Sequence, residues 1–333
     1  MKGNRYMQIQ ALKPGDTIGL VSLSDATDTP ELLERIRRGS QYYNILGFEV
    51  KSNQDFLINY KGAAENIQNR AIALHEAILD ENVKLVLPLR GGTYFNQLLY
   101  DIDYDLICEN PKWYGGFSDT SALINLVSSK AKLPTMHGLD VVWHISEYKS
   151  FPNWLIDQHK KVLFDPYNFS FKLDSGHKLK DLRNKTLMNN FRSNNVTFRG
   201  KLMGGHLGST PALMGHKCFV DKDLILLLET TLSNEHTLKL LYGLLELDLF
   251  KNVNGVILGF SEFDEENYEC KTHVDHISLY EALEEILNIA NKKYDKNIGL
   301  VKTNLFGHET NNILFPLGID MEFDSNLTVL RAV

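Results

Sequence analysis

The chain has no apolar run long enough to cross a membrane as a helix. LILLL (224–228) and GVILGF (255–260) are the longest such stretches, and a span needs about 20 residues. Positive charge is in the minority, with 35 Lys and Arg against 42 Asp and Glu for a net charge of −7. Neither a long basic run nor basic residues interleaved with aromatics occurs, which argues against nucleic acid as a partner. Cysteine is scarce. Cys108, Cys218 and Cys270 are odd in number, far apart and free of any CxxC pairing, as expected in a reducing compartment. The opening MKGNRYMQIQALKPGD lacks the continuous apolar core of a signal peptide. A cytoplasmic protein is the expectation.

What is present is ordinary globular composition over 333 residues. That length exceeds what one core usually fills, so two domains are expected. In the first half, short apolar runs alternate with helical spacing. TIGLVSLS (17–24) reads as a buried strand, Pro30–Leu46 as an amphipathic helix, and GFEVKSN as a second strand. Residues 63–79 read as a helix, and VKLVLPLRGG (83–92) as a strand running into a glycine loop. Such alternation predicts a parallel sheet covered on both faces. The loops at the carboxyl ends of its strands would carry the chemistry.

From about 150 to 195 the composition turns rich in Lys, Asn, Asp and Phe, with a helical piece NWLIDQHKKVLF. This stretch reads as a connection. The second half opens on FRGKLMGGHLGST and contains strands DLILLLE (223–229) and NGVILGF (254–260), with the amphipathic HTLKLLYGLLELDLF between them. It closes on the β-like runs IGLVKTNLF, NILFPLG and LTVLRAV. The expected division is a nucleophile domain at 1–165, a connection at 166–195 and a mixed α/β domain with more β pairing at 196–333.

KWYGGFSDTSALINLV (112–127) concentrates the candidate chemistry. Gly115 and Gly116 permit a sharp turn, and Ala122–Val127 carry helical spacing, so Ser118 falls at a turn-to-helix junction. There a serine is either an N-cap or an exposed nucleophile with backbone donors beside it. Asp119 either caps the helix or lends its N–H to an oxyanion. Gly91 and Gly92 lie on a second loop at the same sheet end. A nucleophile needs a base and an orienting acid. Among eleven histidines, His308 stands on a loop primed by Gly307, and Glu229 ends a buried apolar run; residues in such places are more often surface residues than a base or an orienting acid. His137, His144 and His206 can line a cleft or simply pack. GGHLGST (204–210) only loosely resembles a phosphate loop. His273, Asp275 and His276 match no strong metal spacing, and EFDEENYE (262–269) reads as a solvated loop.

Several segments together resemble the serine peptidases that include the L,D-carboxypeptidases and the microcin-immunity peptidases. They are LKPGDTIGLVSLSD, LRGGTYFNQLLYDIDYDLICENPKWYGGFSDTSAL, PTMHG, GKLMGGHL, LILLLE, the pattern from LLYGLLELDLF to VNGVILGF, and FGHETNNILFPLG, in family order. The resemblance implies a Rossmann-like N-terminal domain, a β-rich mixed α/β C-terminal domain and an active site in the cleft between them. It implies Ser118 as nucleophile, His308 as base, Glu229 as acid, and the N–H groups of Gly92 and Asp119 as oxyanion hole. No metal or organic cofactor is implied. The substrate would be a muropeptide losing a terminal D-alanine or a peptidyl- or aminoacyl-nucleotide, and a homodimer is expected. Length and the connection near 140–195 look more like the immunity branch. Thr93, Leu139 and His206 depart from the family pattern at positions that bear on cleft shape. The competing reading is a noncatalytic module in which Ser118 is a cap and the cleft holds a small ligand.

Overall fold

The structure is a computed structural model that describes residues 6–52, 54–177, 179–180, 186–187, 189–261, 278–308 and 312–333. Cys270, the run 262–269 and the trio His273, Asp275 and His276 lie outside the described residues. Cys108 is exposed and Cys218 buried. The chain is mixed α/β and divides into two compact units: Met1–Phe169 with Ile313–Ile319, and Ser170–Asn312 with Asp320–Val333.

In the first unit, β1 (Thr17–Val21), α1 (Pro30–Ile45), β2 (Glu49–Lys51), α2 (Ile67–Leu79) and β3 (Val83–Pro88) alternate in chain order. They are followed by α3 (Tyr104–Glu109), β4 (Trp113–Gly116), α4 (Ser121–Leu126), β5 (Thr135–His137) and α5 (Asn153–Phe164). Every residue of β1 is buried, as required of a strand with helices on both faces. α1 begins where the Thr29 hydroxyl accepts the Leu32 N–H (3.2 Å) and Pro30 supplies a preset φ. α2 starts later than its apolar spacing suggests, because Asn66 caps it by accepting the Asn69 N–H (2.9 Å).

The described strands of this sheet run β14-β5-β4-β3-β1-β2, where β14 is Phe315–Leu317 from the far end of the chain. β14 pairs antiparallel with β5, while the other neighbours pair parallel. The run NILFPLG therefore supplies the edge strand of the first sheet. β1 connects outward to β2 and β3 outward to β4, so the loops leaving β1 and β3 diverge. That is a topological switch point, where sheets of this kind open a crevice.

In the second unit, β6 (Ser170–Lys172) comes first, then the antiparallel pair β7 (Leu179–Lys180) and β8 (Thr186–Leu187), and β9 (Arg192–Ser193). β10 (Phe198–His206), α6 (Thr210–Gly215), β11 (Leu224–Glu229), α7 (Asn234–Glu246), β12 (Val253–Leu258), α8 (Leu279–Tyr294), β13 (Gly299–Lys302), β15 (Asp320–Asp324) and β16 (Val329–Ala332) complete it. The described sheet order is β6-β16-β15-β10-β11-β12-β13-β9. Its centre, β10 to β13, is parallel, and antiparallel strands extend both edges. α8 is closed by a reciprocal cap between Ser278 and Glu281. β11 is buried along its whole length; each of its leucines contributes about 1.5–3 kcal/mol by leaving water. Among the described residues, no helix is long and apolar enough to cross a membrane.

Candidate active site

The first unit gathers three loops at the carboxyl end of its parallel strands. β4 ends at Gly116, and Phe117 is extended (φ −156°, ψ 160°). Ser118 then adopts φ +56°, the left-handed region that non-glycine residues rarely occupy. A 3₁₀ turn over Ser118–Thr120 leads into α4. Ser118 thus opens the turn in a strained conformation, whereas an N-cap is extended; the cap reading does not describe it. Functional sites are among the places where such strain is retained, although eight other described non-glycine residues of this chain share the region. The Thr120 hydroxyl braces the turn, accepting the Phe117 N–H (3.1 Å) and donating to its carbonyl (2.8 Å). Phe117 itself is wedged edge-on between the rings of His137 (5.5 Å) and His144 (5.0 Å). Both histidines are buried packing residues of this unit. Asp140 accepts the His144 N–H and faces its ring Nδ1 at 3.1 Å.

The glycine loop after β3 presses against this turn. A methyl group on Gly91 would lie 2.7 Å from Ser118 Cβ, 2.9 Å from its Oγ and 3.0 Å from the Asp119 nitrogen. Gly92 has φ +145°, and a methyl there would meet the Asp25 carboxylate at 2.0 Å. Glycine is required at both places. Among the described residues, the N–H groups of Gly92 and Asp119 donate to no protein acceptor. The Asp119 side chain does not cap the helix that follows it. Its carboxylate accepts from the Ser24 hydroxyl (2.6 Å) and the Phe95 N–H (2.9 Å). Burial pushes the Asp119 carboxyl up, against these two bonds and the Arg70 charge, which favour the ionised form.

The second unit holds the other candidates. Glu229, the last residue of β11, is only 1% exposed, so it is no solvated strand end. Its Oε2 is paired with Nδ1 of the partly buried His308. His308 follows Gly307, whose φ of +139° turns the loop and whose N–H donates to Asn312 Oδ1 (2.7 Å). A carboxylate at Nδ1 sets that nitrogen as donor and leaves the lone pair on Nε2, the tautomer a general base needs. His206 ends β10, in register with Glu229, and its ring centroid lies 5.1 Å from that of His308. Burial pushes the His206 imidazole below its ordinary range, opposed by Glu229 and reinforced by His308.

The expected residues therefore form two groups, one per unit: Ser118, Asp119 and Gly92 in the first, Glu229 and His308 in the second. Unforeseen were Ser24, Asp25 and Arg70. Their signal was present in LVSLSD, where polar residues follow a buried strand, and in an arginine at an otherwise apolar helical position.

Comparison with known proteins gives the family. Residues 18–138 match the LD-carboxypeptidase N-terminal domain, and residues 199–323 match the LD-carboxypeptidase C-terminal domain. The microcin C7 self-immunity protein MccF of Escherichia coli is 27% identical, over 94% of this chain and 92% of that protein. The crystal structure of an MccF-like protein from Bacillus anthracis str. Ames has a TM-score of 0.81 and 27% identity, covering 97% of this chain and 98% of that one. A structure of microcin C7 self-immunity protein MccF with aspartyl sulfamoyl adenosine shares the fold at a TM-score of 0.85 and 23% identity, with 98% of each chain covered. With both domains matched in order, this chain belongs to the LD-carboxypeptidase family, whose members include MccF-like proteins.

Proposed function

We propose that this protein is a serine hydrolase that cleaves an amide bond with Ser118, His308 and Glu229. The observation that carries the reading is the pairing of buried Glu229 with His308 Nδ1. A carboxylate fully out of water is costly unless it is paired, and a histidine so held is a base with a fixed tautomer. The strained Ser118 supplies the matching nucleophile. Ser118 Oγ attacks the carbonyl carbon while His308 Nε2 takes its proton. The N–H groups of Gly92 and Asp119 receive the negative charge that develops on the carbonyl oxygen. Collapse of the tetrahedral intermediate expels the amine, which takes the proton from His308. Water, deprotonated by the same imidazole, then releases the acyl group and restores Ser118. The reaction needs no metal or organic cofactor.

For substrate we infer a small peptidyl- or aminoacyl-nucleotide, in keeping with the MccF structure that holds aspartyl sulfamoyl adenosine. The competing substrate is a muropeptide ending in D-alanine. Three scattered cysteines fit a cytoplasmic setting, and the family resemblance carries the expectation of a homodimer, testable by light scattering. The test of function is turnover of aspartyl sulfamoyl adenosine and of a murein tetrapeptide, side by side, by the wild type and Ser118→Ala. Loss of turnover in the variant is expected. Turnover that survives the substitution defeats the serine mechanism, and cleavage of the tetrapeptide alone reassigns the substrate.

A further inference from the structure

Three consecutive backbone N–H groups follow Gly92, and a different side chain takes each. Thr93 donates to Asp25 Oδ1 (2.8 Å), Tyr94 to Ser24 Oγ (3.1 Å) and Phe95 to Asp119 Oδ2 (2.9 Å). Ser24 and Asp25 come from the loop after β1, and Asp119 from the turn that carries Ser118. The acceptors are themselves joined, since the Ser24 hydroxyl donates to Asp119 Oδ2 (2.6 Å). Behind them lies Arg70, fully buried on α2. Its Nη1 donates to the carbonyls of Leu23 (2.9 Å) and Tyr94 (3.0 Å), and its Nη2 to Gln97 Oε1. The loops that diverge at the switch point are thereby tied back together.

Satisfying buried polar groups accounts for part of this, because a buried N–H without a partner is costly. It does not account for Asp25. Thr93 is exposed, so water could serve its N–H. Asp25 is instead packed against the Gly92 α-carbon, where a methyl group would overlap its carboxylate. Each pinned amide follows Gly92 directly, and the Gly92 N–H itself is left without a protein acceptor among the described residues.

We propose that Ser24 and Asp25 are positioning residues that hold the Gly92 N–H where the oxyanion of the reaction develops. This rests on the serine-hydrolase reading above. Neither side chain touches the reacting atoms; they act through the backbone of the glycine loop. Donors aimed at a developing charge lose most of their effect when displaced by about 1 Å, so the contribution belongs to kcat and not to ground-state binding.

The test compares Ser24→Ala, Asp25→Ala and Asp25→Asn with the wild type and Ser118→Ala. Two quantities are read: kcat and KM on aspartyl sulfamoyl adenosine, and the rate at which a fluorophosphonate labels Ser118, located by peptide mass spectrometry. In labelling, Oγ bonds to phosphorus, fluoride leaves, the proton passes to His308, and the phosphoryl oxygen seeks the same N–H donors. Ser24→Ala and Asp25→Ala should each lower kcat and the labelling rate by roughly 10- to 100-fold with KM little changed. Asp25→Asn keeps an oxygen for the Thr93 N–H and should recover most of the loss. If Ser24→Ala is too unstable to purify, the Asp25 pair decides alone. Wild-type rates in Asp25→Ala, or equal losses in Asp25→Ala and Asp25→Asn, overturn the positioning role while leaving the nucleophile intact. Turnover by Ser118→Ala, with a wild type that is not labelled at Ser118, overturns the hydrolase reading itself.

Discussion

Glu229 and His308 stand 79 residues apart in sequence, yet the carboxylate at the end of β11 is bonded to Nδ1 of the imidazole. Glu229 is essentially removed from solvent, so the pair is set by the sheet and the Gly307 turn, without surface freedom. Removing the charge while keeping the shape should leave the fold and remove the function. Glu229→Gln is expected to reduce kcat by about 10³- to 10⁴-fold, through loss of the required tautomer and of the stabilised imidazolium. Steady-state kinetics beside a thermal melt checks this; a loss under tenfold would mean the pair is structural only.

Gly92 offers a test of the proposed oxyanion donors. Its φ of +145° and its contact with Asp25 both oppose a side chain. Gly92→Ala should cost about 1–3 kcal/mol of stability and lower kcat more than Gly19→Ala, at a buried but remote glycine of β1, does. Chemical denaturation and kinetics on the same samples separate the two effects.

Lys112 gives a pH signature of the first unit. It is buried, its ammonium donating to the carbonyls of Asp80 (2.9 Å) and Ala77 (3.3 Å) near the end of α2. Burial lowers it to about 8, whereas the unfolded chain keeps the ordinary lysine value of about 10.4. Between those values the unfolded state binds more protons than the native state, so this group adds stability as pH rises from about 8 to about 10.4. The Tm of the wild type minus that of Lys112→Met should therefore grow across that window. A flat or falling difference would contradict the assignment.

Much of the architecture is legible in local pattern. NWLIDQHKKVLF is α5 residue for residue, and DLILLLE is β11 with one residue trimmed. Apolar periodicity encodes these directly, since each element buries its own face. Pairing partners are not encoded that way. The edge strands β6 and β9 fall in the stretch that reads as a connection, and β14 leaves its neighbours to close the first sheet. Short strands of two or three residues carry too little pattern to announce a partner. At the candidate site, Ser118, Glu229 and His308 were legible as candidates. The left-handed conformation of Ser118 was not, because strain is held by the surroundings, here Thr120 and the His137–Phe117–His144 stack. The side-chain ladder from Ser24 and Asp25 also depends on loop geometry at the switch point, which no local spacing reveals.

The proposed activation of Ser118 by His308, held by Glu229, is read from the rate of Ser118 modification by a fluorophosphonate in wild type and His308→Gln. The wild type should be labelled at Ser118 alone. His308→Gln should react on the order of 10³-fold more slowly or not at all. Labelling of His308→Gln at the wild-type rate, or of the wild type at another residue, would exclude His308 as the base that activates Ser118.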